Sequence, residues 1–206
     1  MAMLKKHAIL LGIIMSLLLL FTATAHYPGG TNFDANTVGF SWKNNYISNL
    51  FGEKAVNGAA NNARFWAMAG MMLLSISFAL FFFQFSKRIP NKGAANVVKY
   101  LGCLAMVFTF LIATPLHDLM VSISSTIYLV CMFYITVFVF RSKLHLFKLM
   151  CVIYLLLFYS IMYIYGSGDF REYLPIIQKV LFAFSIILIS SLHYFTTKEN
   201  LKPKET

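Results

Sequence analysis

Charge is what this chain of 206 residues lacks most: only 12% of it is Asp, Glu, Lys or Arg, against 59% hydrophobic and 17% aromatic residues, with a mean hydropathy of +0.72. That is too little polar material to cover a water-facing globule, which excludes an ordinary soluble domain. Acidic residues are the scarcer of the two charges, seven against seventeen basic ones. The resulting +10 would fit nucleic acid if the basic residues formed one patch, but they fall in short flanks between apolar runs, which points away from a nucleic-acid partner. Cysteine occurs three times, as Cys103, Cys131 and Cys151, each inside an apolar run without metal-ligand or loop-bridging spacing. A disulfide framework is excluded, and the three read as small apolar packers. Gly-x-Ser-x-Gly, His-Glu-x-x-His and Walker patterns are missing altogether, so no catalytic residue, metal or cofactor is assigned.

Six apolar runs fill the space these absences leave. The first, residues 8–25, follows Lys5 and Lys6, carries no charge, and at about 1.5 Å per residue crosses most of a hydrocarbon core of about 30 Å. It also imitates a signal peptide, because Ala23-Thr24-Ala25 before His26 fits a small-residue cleavage site. Its length exceeds the usual signal core, so a retained first helix is expected. Residues 64–85 open with Arg64, Phe65 and Trp66 as an interfacial anchor, and Ala63, Ala67 and Gly70 share one face that lets a neighbouring helix approach closely. Runs at 97–113 and 119–140 are separated by Thr114-Pro115-Leu116-His117-Asp118, where Pro115 forces the break. Runs at 144–165 and 174–195 flank the short segment 166–173. The expected fold class is all-α: one integral membrane domain over residues 1–206, a polytopic bundle of six transmembrane helices, with residues 26–63 as the first outer loop.

Basic residues set the expected orientation. Twelve of the seventeen lie in the two termini and in the second and fourth connections, whereas five of the seven acidic residues lie in the other connections. The first set carries the whole +10 and the second sums to zero. By the positive-inside tendency both termini, including Lys5 and Lys204, are cytoplasmic and Lys43 is outside. Inner basic flanks also suit anionic headgroups, which explains the positive charge without nucleic acid.

The outer loop is the one long polar interval. Within 38–51, Ile47, Leu50 and Phe51 follow the i, i+3, i+4 spacing of a helix, and Trp42 with Tyr46 suits a headgroup boundary. A short interfacial helix is expected there rather than a strand-rich outer domain, for which the stretch has neither the length nor the alternation. Candidates for ligand contact in this loop are His26, Trp42, Asn45, Ser48, Asn49 and Glu53, with Arg64 at the second span's start. Further candidates on the outer ends of later spans are His117, Asp118, Glu172, Gln178 and Lys179. Of five histidines, only His26 and His117 belong to the outer side, which is a weak zinc signal. His117-Asp118 suits acid-base work at a boundary, but Asp118 equally suits a capping role at the start of a helix. Lys179 falls about five residues inside the last span, roughly 7 Å deep. Two readings stand for it: snorkelling to the interface, or an ion pair with Asp118 or Glu172.

The run Asn44-Asn45-Tyr46-Ile47-Ser48-Asn49-Leu50-Phe51-Gly52, the small-residue span after it, Pro115-Leu116-His117-Asp118, and the opening Leu174-Pro175-Ile176-Ile177-Gln178-Lys179 carry a likeness. Together they resemble the bacterial domain-of-unknown-function family 998 (DUF998), itself similar to the DRAM and Sfk-type six-span membrane proteins. Asn49 stands where that family's Ser-Asp-Leu-Gly pattern has an acidic residue, and Phe51 interrupts the approach to Gly52. The resemblance implies a six-span fold and a location in the bacterial inner (plasma) membrane. The expected function is non-enzymatic: an outer polar cap that binds a lipid headgroup, a small ligand or a membrane partner. A small-solute transporter built of two inverted three-span halves is the alternative, and a metal-dependent membrane hydrolase the second.

Overall fold

A computed structural model of the chain describes residues 2–202, with side chains from residue 7 onward. The side chains of Lys5 and Lys6, and the whole of Lys204 and Glu205, lie outside the described residues. Six helices account for most of the chain: α1 (Ala2–Ala25), α2 (Arg64–Ser86), α3 (Lys92–Leu111), α4 (His117–Arg141), α5 (His145–Ser167) and α6 (Leu174–Phe195). All six contain stretches long and apolar enough to cross a membrane, with mean hydropathies from 1.6 to 2.4. This is an all-α six-helix bundle. The helix is the natural form for such runs, because it satisfies every backbone donor and acceptor without help from solvent.

Helix ends follow local chemistry. Pro175 occupies the first turn of α6, where its missing amide costs nothing, and Gly168 ends α5 in a left-handed conformation at φ +80°. One boundary differs from the hydropathy reading: α3 begins at Lys92 rather than at residue 97. The Asn91 side chain accepts a hydrogen bond from the Ala94 amide at 2.9 Å, a cap strong enough to start the helix in a polar stretch. Lys99 consequently lies two turns, about 10 Å, inside the helix.

Consecutive helices pack as neighbours, α1 on α2, α2 on α3, α3 on α4 and α5 on α6, while α6 also touches α1 and α2. Close approach depends on small residues. Ala63, Ala67 and Gly70 are all buried, and the Ser16 hydroxyl donates to the Gly70 carbonyl at 2.7 Å across the α1–α2 contact. Where α3 meets α2, Gly102 lies flat on Phe82; a Cβ there would sit 2.4 Å from the ring. Phe81, Phe82 and Phe85 are enclosed, and Phe82 continues edge-on to Tyr128, with ring centroids 5.6 Å apart. Tyr128 in turn approaches Tyr154, and Tyr154 approaches Phe158, so aromatic packing links α2, α4 and α5. Cys131 and Cys151 are buried free thiols in this interior, and Cys103 donates weakly to the Ala79 carbonyl.

The loop of residues 26–63 covers one end of the bundle, called the cap end below; the end bearing Lys87 and Arg141 is the basic end. The expected interfacial helix shrinks to a single 3-10 turn, Ile47–Phe51, with no strand among the described residues and only the isolated bridges Gly29 to Val38 and Lys54 to Ala60. Residues 38–46 are not helical because side chains take the amides a helix would use. The Asn45 side chain accepts from the Ser41 amide at 2.8 Å, and Ser41 Oγ accepts from the Asn44 amide. Leu50 and Phe51 nevertheless bury against the bundle, and Trp42 stays half-exposed between Phe40 and Phe21.

Candidate functional site

Two asparagines build the cap. Asn45 is wholly buried, and besides accepting from Ser41 it donates to the Gly30 carbonyl at 2.8 Å and to the Asn49 side chain at 3.3 Å. Asn61 donates to the carbonyls of Asn49, Leu50 and Gly52, at 3.3, 3.1 and 2.9 Å, while its own side-chain oxygen accepts from the Ala63 amide. The 3-10 turn is thereby tied to the start of α2. Tyr27 supports the far side of the cap, its phenol oxygen accepting from the Val56 amide at 3.0 Å. Burial pushes the Tyr27 phenol above its ordinary pKa, with the Val56 bond acting against that shift.

Between this tied turn and the α3–α4 connection lies an open pocket of about 300 Å³. Its polar lining includes Ser48, Asn49, Glu53, Arg64, Thr114 and His117. Arg64 begins α2 and His117 begins α4, and neither helix has a side-chain cap at its N-terminus. Two positive helix ends therefore meet at one depression. Arg64 Nη1 donates to Glu53 Oε1 at 3.0 Å, while Nε is enclosed and makes no hydrogen bond. An enclosed donor without an acceptor costs about 1–3 kcal/mol, so this guanidinium edge is the least satisfied group of the cap. His117 Nδ1 lies 2.8 Å from Asp118 Oδ1, and that carboxylate is well exposed. Asp118 sits in the first turn of α4 but makes no cap; the capping position belongs to Leu116, whose side chain has nothing to offer the amides.

Gln178 and Lys179 do different work from the expected one. Gln178 Oε1 accepts from the Ile47 amide at 3.1 Å, and Lys179 Nζ donates to the carbonyls of Asn45 and, at 2.9 Å, Pro175. The ammonium also stands 5.8 Å from the centre of the Phe40 ring. Lys179 pairs with neither Asp118 nor Glu172. Backbone carbonyls answer its charge instead, and the two adjacent residues clamp the cap to α6.

The sequence candidates thus divide by place. Ser48, Asn49, Glu53, Arg64 and His117 line the pocket, with Asp118 attached through His117; Asn45, Gln178 and Lys179 hold the cap together. His26 bonds back to the Thr22 carbonyl beside Trp66, and Trp42 and Glu172 also lie outside the pocket lining. His26 and His117 do not join a third ligand: no group of three His, Cys, Asp or Glu suited to a metal occurs among the described residues. Asn61 and Thr114 were missed by sequence reasoning, Asn61 because its partners are carbonyls 9 to 12 positions away that no spacing rule marks.

The chain matches no family model, no curated protein and no solved structure.

Proposed function

We propose that the protein is a non-enzymatic six-span membrane protein whose cap pocket binds a phosphate- or carboxylate-bearing group, such as a lipid headgroup or a small anion. The observation that carries this is the Arg64 guanidinium: Glu53 takes Nη1, while Nη2, neither enclosed nor hydrogen-bonded, stays open to an oxyanion at the meeting point of two helix N-termini. The proposal includes a bacterial plasma-membrane location, with the cap outside and both termini cytoplasmic. Its support is that Lys87, Arg88, Lys92, Arg141, Lys143 and Lys148 gather at the end opposite the cap. The likeness to domain-of-unknown-function family 998 belongs to the same proposal and rests on the sequence runs alone. Packed rings of Tyr128 and Tyr154 about midway along α4 and α5 favour recognition over conduction.

Calorimetry with glycerol 3-phosphate, a soluble probe able to reach the cap, tests the reading on detergent-solubilised protein. Arg64→Gln is expected to weaken binding by about tenfold or more, the scale of one or two charge-assisted hydrogen bonds. Glu53→Gln should strengthen it by freeing Nη1 and removing a like charge. Equal affinity in wild type and Arg64→Gln would refute the site.

A further inference from the structure

Independently of the cap, two lysines from different helices converge at the basic end. Lys87 follows the last residue of α2, and its ammonium stands 4.4 Å from the centre of the Phe83 ring. Lys99, inside α3, reaches the same ring at 5.4 Å and its neighbour Tyr100 at 4.6 Å, donating to the Tyr100 hydroxyl at 3.4 Å. A lysine at the end of α2 suits the carbonyl end of that helix. That explanation does not extend to Lys99, which begins two turns inside α3 and still comes to Phe83. Neither lysine has a carboxylate within ion-pair distance; Glu199, the one described acidic residue at that end, is held by Lys202 at 2.6 Å. Two like charges therefore share one aromatic ring with no counter-ion from the protein.

The surface leading away from them is apolar and open. On α2, Ile76, Leu80, Phe83 and Lys87 recur at helical spacing, and the first three are exposed. On α3, Tyr100, Leu104 and Val107 are likewise exposed at helical spacing. The register set by Gly102 on Phe82 and Cys103 on Ala79 runs the helices antiparallel, placing Leu104 and Val107 at heights near Leu80 and Ile76. From Lys99 to Val107 this face extends about 12 Å, close to one leaflet of a hydrocarbon core of about 30 Å.

We infer that this α2–α3 face binds an anionic phospholipid, its phosphodiester held between Lys87 and Lys99 beside Phe83 and its acyl chain lying along Leu80, Leu104 and Val107. The occupant is a lipid because the charge and the apolar stripe are continuous. A soluble anion would use the lysines and leave the stripe idle, and a zwitterionic lipid would bring its own cation to the same place.

The test uses the full chain in a neutral detergent, with binding of phosphatidylglycerol and phosphatidylcholine counted by native mass spectrometry and checked by thermal unfolding. Phosphatidylglycerol is expected to bind the wild type preferentially and to raise its unfolding temperature more. Lys87→Gln with Lys99→Gln should lower that affinity about thirtyfold, each basic residue near a headgroup contributing on the order of fivefold. Charge-preserving Lys87→Arg with Lys99→Arg should keep most of it. Lys43→Gln, which removes an exposed lysine of the cap loop outside the pocket lining, should leave it unchanged, which separates this site from a general loss of positive charge. If the double variant does not fold, the single glutamine variants carry the test, each losing part of the preference. Equal response to phosphatidylcholine, an equal effect of inorganic phosphate, or a preference that survives removal of both lysines would overturn the inference.

Discussion

Lys179 of α6 donates to the backbone carbonyl of Asn45, a residue 134 positions earlier, and so ties the cap to the last helix without using a carboxylate. Gln178 beside it accepts from the Ile47 amide. The pair joins one charged and one neutral hydrogen bond at the same seam.

Because Lys179 and Asp118 share no contact, Lys179→Met and Asp118→Asn should destabilise additively, within about 0.5 kcal/mol, in a double-mutant cycle read by thermal unfolding in one detergent. Lys179→Met combined with Gln178→Leu should instead loosen the cap, seen as faster proteolysis within residues 30–46 while helical content is kept. A coupling well above that margin between Lys179 and Asp118 would show that the carbonyl clamp is not what holds the ammonium.

Asn61→Ala removes the donor shared by three carbonyls under the pocket. A loss of about 1–3 kcal/mol in stability is expected. Weaker binding of glycerol 3-phosphate should accompany it, since Arg64 and the 3-10 turn lose their common tie. Asn61→Asp should be worse, because it turns an acceptor toward acceptors. A stable Asn61→Ala variant with wild-type binding would show that the turn keeps its place without this side chain.

Gly102→Ala would put a methyl group 2.4 Å from the Phe82 ring, which has no room to move among Phe81, Tyr128 and their neighbours. Overpacking of this kind costs about 1–3 kcal/mol. Phe82→Leu in the same chain should recover part of that loss. An unfolding temperature unaffected by Gly102→Ala would mean that α2 and α3 can separate freely at this height.

Single cysteines at positions 43 and 92, in a background with Cys103, Cys131 and Cys151 replaced by alanine, test the proposed orientation. An impermeant thiol reagent should label residue 43 in intact cells and residue 92 only after lysis. Labelling of residue 92 in intact cells would reverse the assignment.

The spans were legible in the sequence because a chain in lipid has few choices. A run of about twenty apolar residues must satisfy its own backbone, and a helix does so from neighbours three and four positions away. Residues 64–85 and 174–195 therefore match α2 and α6 almost to the residue. Where apolarity was the only guide, as at residue 97, the start was placed late, although Asn91 offered a local cap that marks Lys92. Reading caps as well as hydropathy would have found it, and with it the depth of Lys99.

The cap was legible only as a polar interval with useful residues in it. Ile47, Leu50 and Phe51 did form a helical turn, but Asn45 and Ser41 took the amides before it, and no periodicity records that competition. Lys179 was recognised as a charge at unusual depth, while its partners were decided by a loop more than a hundred positions away. The sequence by itself determined how many helices form and how charge is shared between the connections, because those depend on composition and on neighbours along the chain. Only the tertiary structure decided that Arg64 and His117 line one pocket, that backbone carbonyls answer Lys179, and that Lys87 and Lys99 share Phe83, because each relationship depends on which helices lie side by side and in what register.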